Sequence, residues 1–463
     1  MGYRWFALIL VKVLLLVGVV SSWAEENTSI LSAHDILNLI EVNGDHAYAV
    51  VGADISIAQA RLNQAKSGLN LNLSLNSTGQ VYRSTQNNNN AEIYGVLEVV
   101  KPIYDFGKKK LEVDAAGFDV EAAKLALVTN KNTVLLEGLA LFYNLHASEL
   151  QLRAYNEIHA SAYVRWDKAK EQLELARTGP IEVSEALMLV EKTRLDYFLE
   201  RTRNNSYRMR LEELINQTLP DELVSPPMPP EKPPYEANRE QFAEIVLQRN
   251  PVMVALLKQA KAKNVRRSAI NNLPSVEAFG NVGHSSRAVS GRNEFAVGAR
   301  MSWKVFDGGL ASAQRDRLVA EESRINAQME LKRRQLRREA HRTLMNRADI
   351  FQRVISARAE FDYTQKYLLR RQQLYSLERV TNLGQAMIKN SLAEAELIRA
   401  TGAYKLESAG IAVLLGDHPS MGLKHDYLAT LMGPNKNFAE DFVPKSGSGF
   451  GQDDQNKINK NIK

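Results

Sequence analysis

The sequence predicts an α+β chain built as a tandem repeat, each copy combining very long, coiled-coil-like α-helices with two β-strands. Three observations predict it. Tyr104-Asp105-Phe106-Gly107 returns as Phe306-Asp307-Gly308-Gly309, the second Asp standing 202 residues after the first. A repeat of that length means two copies of one large unit rather than a solenoid of short modules. Each motif follows an alternating stretch and precedes a helix-forming one, and residues 310–383 run for 74 positions without glycine or proline.

Taken in chain order, residues 1–24 carry Arg4, an apolar run over residues 6–20 broken only by Lys12, and the small residues Ser22 and Ala24. This predicts a secretory signal peptide cut after Ala24. The alternative, a membrane anchor, meets the difficulty that the run falls short of the roughly 20 residues a spanning helix needs. The first repeat then occupies residues 25–218, a proline-rich linker 219–238, the second repeat 239–416, and a C-terminal segment 417–463. From about Phe442 that segment is rich in Gly, Ser, Asn, Gln and Lys and is expected to be disordered.

The first repeat opens with a helix at about 45–67. Strands follow over about 71–106: Leu71, Leu73, Leu75 and Val81 alternate with Asn72, Ser74, Asn76 and Gln80, and Ile93, Leu97 and Val99 oppose Glu98. A polar tip at 86–90 joins them. A long helix over 108–178, interrupted only by Gly117 and Gly138, carries an apolar seam at Val128, Leu135, Leu139, Phe142 and Leu145. Arg177-Thr178-Gly179-Pro180 marks a tip turn at about 178–183, and a return helix runs over 183–217. Residues 219–234 hold seven of the 14 prolines, an extended, semi-rigid connector.

The second repeat has the same order. A helix spans 239–271 and strands span about 275–307. Val276, Ala278 and Val282 oppose Glu277 and Asn281; after a tip at 290–293, Phe295, Val297, Ala299, Met301 and Trp303 oppose Glu294, Arg300, Ser302 and Lys304. The long helix follows, its seam at Leu336, Ala340, Leu344, Ala348, Phe351 and Ile355, with a tip turn at about 380–385 and a return helix over 385–415. At 1.5 Å per residue such a helix is about 105 Å tall, so two shorter helices pack end to end against it.

Composition narrows the function. The chain has 59 basic and 53 acidic residues; without Arg4 and Lys12 the balance is 57 to 53, a net +4 that implies no nucleic-acid partner. The basic run Lys332-Arg333-Arg334-Gln335-Leu336-Arg337-Arg338 shares its helix with the apolar seam and reads as a solvated face. There is no cysteine, hence no disulfide, thiolate site or acceptor for N-terminal lipid. No phosphate-binding loop or recurring metal-ligand spacing is present, so no enzyme activity, cofactor or metal is expected.

Beyond residue 24 no apolar run approaches 18 residues, so any membrane crossing must be by strands. The strand lengths suit that, and rods alone flank the hairpins, leaving their apolar faces to lipid or to another chain. Four strands cannot close a barrel. Two copies would give eight strands and three would give twelve, and a pore between rods needs the larger ring. Soluble hairpins buried on a core are the alternative.

A signal segment, tandem copies and, in each, the order helix, strand, strand ending in aromatic-Asp-x-Gly, long helix, tip turn, return helix: over about residues 45–416 this resembles the TolC family of outer-membrane export channels. The resemblance implies a homotrimer with a 12-stranded β-barrel in outer-membrane lipid on a periplasmic α-helical barrel, in a Gram-negative bacterium. It also implies a periplasmic adaptor protein and an inner-membrane transporter as partners. The expected function is a passive export channel of a tripartite efflux or type I secretion system; the alternative is a periplasmic coiled-coil scaffold without a pore. By match of motif, the periplasmic tip and gate would hold Thr178, Gly179, Pro180, Glu182 and Glu185, and Glu378, Arg379, Thr381 and Asn382. Glu98, Glu277, Asn281, Glu294, Arg300 and Lys304 would face the barrel lumen, and Asp105, Gly107, Asp307 and Gly309 would form the repeat junctions.

Overall fold

The computed structural model describes residues 31–84, 87–220, 223–228, 235–285, 292–377, 383–424 and 427–432. The first repeat contains α1 (Ala33–Asn43), α2 (Asp45–Ser67), β1 (Asn72–Ser84), β2 (Asn87–Tyr104), α3 (Lys108–Glu174) and α4 (Pro180–Ile215). The second contains α5 (Arg239–Arg249), α6 (Pro251–Ala269), β3 (Ser275–Ser285), β4 (Arg292–Ser302), α7 (Leu310–Ser376) and α8 (Leu383–Leu414), followed by α9 (Pro419–Leu423) and α10 (Tyr427–Met432). The expected signal segment, most of the linker prolines, residues 380–382 of the second tip turn and the C-terminal tail lie outside the described residues, while 383–385 already belong to α8.

Helices α3 and α7 have 67 residues each, about 100 Å of rod. Both stop short of the expected 178 and 383, at Glu174 and Ser376, and α4 starts earlier than expected, at Pro180. Neither Gly117 nor Gly138 interrupts α3. At Gly138 the reason is packing: α1 crosses there, and a Cβ would collide with the buried Ile40 side chain.

Helix α1 is absent from the expected elements. Ser32 starts it: the Asp35 N–H donates to Ser32 Oγ at 3.3 Å while the Ser32 N–H donates to Asp35 Oδ2 at 2.9 Å, a reciprocal cap. The single helix expected over 239–271 is two helices, ending at Ala269. Asn250 caps the second, accepting from the Val252 N–H at 3.1 Å, and Pro251 sits at its first position, where a missing N–H costs nothing. Both repeats therefore hold an 11-residue helix set against a longer one.

The long helices pack side by side, with the short helices α1, α5 and α9 set against them. Helix α3 packs against α2 and α4, and also against α6 and α8; α7 packs on α6 and α8 beyond them. Two apolar clusters mark mid-height. Ile36, Leu37 and Ile40 of α1 meet Leu135, Leu139, Phe142 and Leu145 of α3 and Leu211, Leu214 and Ile215 of α4. Phe242, Ala243 and Val246 of α5 meet Leu336 and Ala340 of α7, Ile411 and Ala412 of α8, and Leu428 of α10. A third joins Phe351 and Val354 of α7 to Leu397 and Tyr404 of α8. The expected seam is buried at these positions, but Val128, Ala348 and Ile355 are exposed.

The four strands form one antiparallel sheet in the order β1-β2-β3-β4, with β2 and β3 joining the repeats. Part of each expected tip, 86–90 and 290–293, belongs to a strand. Asn87 and Asn90 already pair with Ser84 and Tyr82, and Arg292 and Asn293 pair with Ser285 and His284. Among the described residues no helix packs extensively over either face of the sheet.

Candidate functional site

Directly opposed residues of antiparallel strands share a face, so the register sorts the sheet. Ser74 opposes Glu98, Glu98 opposes Asn281, and Asn281 opposes Ala296; Glu277 opposes Arg300 and Gly283 opposes Glu294. Glu98, Glu277, Asn281, Glu294 and Arg300 therefore lie on one face. The other face holds Leu73, Leu75, Val81, Ile93, Leu97, Val282, Phe295, Val297 and Met301, and all of these are exposed. Val297, at 72% exposure, shows the extent: this apolar surface has no cover among the described residues. Lys304, expected on the polar face, lies beyond the sheet, because β4 ends at Ser302.

On the polar face Arg300 reaches across β3. Its guanidinium donates to Glu98 Oε1 at 3.0 Å and stands 4.8 Å from the centre of the Phe279 ring, so an ion pair and a cation–π contact fix it together. The Trp303 indole N–H, just past β4, donates to the Asn272 carbonyl at 2.7 Å.

Below the sheet, the two Asp-x-Gly motifs make the same turn. Asp105 Oδ1 accepts from the Gly107 N–H at 3.0 Å and Oδ2 from the Lys109 N–H at 2.9 Å; Asp307 accepts from Gly309 at 3.0 Å and from Ala311 at 2.8 Å. Each carboxylate thus satisfies amides at the start of a 67-residue helix and complements its positive end. The Ala311 N–H, then the Gly309 N–H, hold the Asp307 carboxyl below the usual carboxylate range. Gly107 and Gly309 have φ of 79° and 90°, the left-handed region in which a Cβ is strained. The Lys108 ammonium donates to the Leu273 carbonyl at 2.8 Å, tying the first junction to the second repeat.

The first tip turn spans residues 175–179. The Arg177 N–H bonds to the Gln172 carbonyl at 2.8 Å and the Ala176 N–H to Leu173 at 2.9 Å, a Schellman ending with Ala176 at φ 51° where glycine is usual. Glu182, in the first turn of α4, reaches back to the Gly179 N–H at 3.1 Å, and Pro180 takes the first helical position. Glu182 and Glu185 are exposed, facing a shallow recess shared with Arg165 and Met188. Thr178 stands in the turn itself. Of the other expected tip residues, Glu378, Arg379, Thr381 and Asn382 lie outside the described residues.

Solved structures share this fold. The outer-membrane channel CmeC of Campylobacter jejuni is similar at a TM-score of 0.68 and 14% identity, covering 89% of this chain and 93% of that one. The chain has the protomer fold of outer-membrane channels. The outer-membrane protein VceC of Vibrio cholerae is similar at 0.60 and 15% identity, with 83% and 96% covered, and the open-state MtrE channel of Neisseria gonorrhoeae at 0.60 and 17%, with 85% and 90% covered. This is the fold that the TolC-family resemblance implies. No family model matches the sequence, and no curated protein does. No helix among the described residues is long and apolar enough to cross a membrane.

Sequence reasoning missed the Arg300–Glu98–Phe279 cluster. Its signal was present: alternation puts all three on one face once the β2–β3 pairing is known. That pairing joins different repeats, from Tyr104 opposite Val276 to Tyr94 opposite Ser285, which no local pattern reveals.

Proposed function

We propose that three copies of this chain assemble into an outer-membrane export channel. The observation that carries the reading is the pair of open sheet edges. Among the described residues, β1 pairs only with β2 and β4 only with β3, while the apolar face beside them is bare. Spanning strands leave no edge unpaired in lipid, so β4 of one copy must meet β1 of the next, and three copies close twelve strands. The wall of helices has matching open flanks, α2 and α4 on one side and α7 on the other, which the same rotation joins into a helical tunnel.

The polar face then lines a water-filled lumen, the apolar face meets lipid, and the rods extend through the periplasm. Export is passive, driven by an inner-membrane transporter to which a periplasmic adaptor couples the channel, as the resemblance implies. The tip holding Thr178, Gly179, Pro180, Glu182 and Glu185 is the place for docking and gating. Substrates are small molecules in an efflux system or polypeptides in a type I secretion system.

Membrane fractionation with a heat-modifiability gel tests the reading. A membrane-embedded species that runs as a trimer unheated and as a single chain after boiling is expected. A soluble monomer would favour a periplasmic scaffold instead.

A further inference from the structure

Arg300 does not take the partner that register sets opposite it. Glu277 stands directly across from it on β3, yet the guanidinium passes over Phe279 to Glu98 on β2. Glu277 and Glu294 share this face and have no ion-pair partner among the described residues. We propose that Glu98 and Phe279 hold the Arg300 charge flat and neutralised against the sheet, and that Glu277 and Glu294 make the strand-lined path select for cations.

The inference rests on the channel reading, in which this face lines the lumen. A guanidinium is planar and weakly hydrated, so it gains by lying on a ring and pairing with a carboxylate, where a lysine would stay hydrated and project. Paired, Arg300 repels no cation and attracts no anion beyond contact range. The unpaired carboxylates act over about 8 Å at physiological salt, a reach comparable to the width of a narrow pore.

Reversal potentials of the full chain in planar bilayers under a KCl gradient test this. Wild type should prefer K+ over Cl−. Arg300→Gln should leave that preference at least as strong, Glu98→Gln should weaken it about twofold by freeing Arg300, and Glu277→Gln should weaken it by a similar factor. The swap Glu98→Arg with Arg300→Glu should return selectivity to the wild-type value and shows that the pair, rather than either charge alone, is what matters. Conducting channels whose selectivity is the same in wild type, Glu98→Gln and Glu277→Gln would overturn the inference and leave the channel reading intact. A wild-type protein that never conducts and remains a soluble monomer would overturn the channel reading itself.

Discussion

Asp105 and Asp307, 202 residues apart, make the same two hydrogen bonds: each carboxylate accepts from the backbone N–H two residues and four residues ahead. The duplication is thus preserved at the level of single atoms, at the point where strand gives way to rod. Asp105→Ala should cost about 1 kcal/mol, the usual value of a helix cap, and Asp105→Asn much less. Hydrogen exchange of the amides at 107 and 109 would register the loss; unchanged protection in Asp105→Ala would remove the cap from the account.

The second junction should respond to acid. The Asp307 carboxyl is held below its ordinary value near 3.8, so its folded-state pKa is depressed. Its contribution is therefore fully present above that ordinary value and is lost as pH falls through the lower folded one. Protection of the Gly309 and Ala311 amides, corrected for intrinsic exchange, should fall from about pH 4 downward. Protection that stays flat through that window would show that the carboxylate does not hold the turn.

Much of this arrangement is legible in the sequence. The glycine-free run foretells α7, and alternation foretells which side chains of each strand share a face. What escapes is set by contacts between distant segments. Gly138 and Gly117 look like helix breakers, but α3 runs through both, and at 138 the absence of a side chain admits Ile40 of α1. Helix α1 was signalled only by Ser32 and Asp35, a short motif ahead of a short helix. The bend at Asn250-Pro251 carries a local signal, an N-cap residue followed by proline, that is easily overridden by the helical pattern on either side. Lys304 falls off the sheet because β4 ends two residues earlier than its alternation does.

Ala176 occupies a left-handed position at φ 51° in the first tip turn. Ala176→Gly should relieve roughly 1 kcal/mol of local strain and slow proteolytic nicking at residues 175–179. Faster cleavage would mean that the turn gains more from a restricted backbone than it loses to strain.

The contact between repeats is close at Gly402 of α8, where a Cβ would lie 2.6 Å from Tyr143 Cβ on α3. Tyr143 is buried and its Cβ is fixed to the helix backbone, so the wall must shift. Gly402→Ala should destabilise the chain by roughly 2 kcal/mol, seen as a lower unfolding midpoint, and Tyr143→Ala in the same chain should recover part of the overpacking term. A midpoint unmoved by Gly402→Ala would show that α3 and α8 are farther apart.

Ring closure through the strand edges is the central claim, and the absence of native cysteine allows it to be tested directly. Ser74→Cys on β1 would be combined in turn with Glu294→Cys or Ala296→Cys on β4, and the membranes oxidised. The account predicts that at least one combination yields denaturing-gel bands at one, two and three chains and nothing larger, with either single variant remaining at one. Double variants that stay monomeric throughout, or form ladders extending past three, would contradict it.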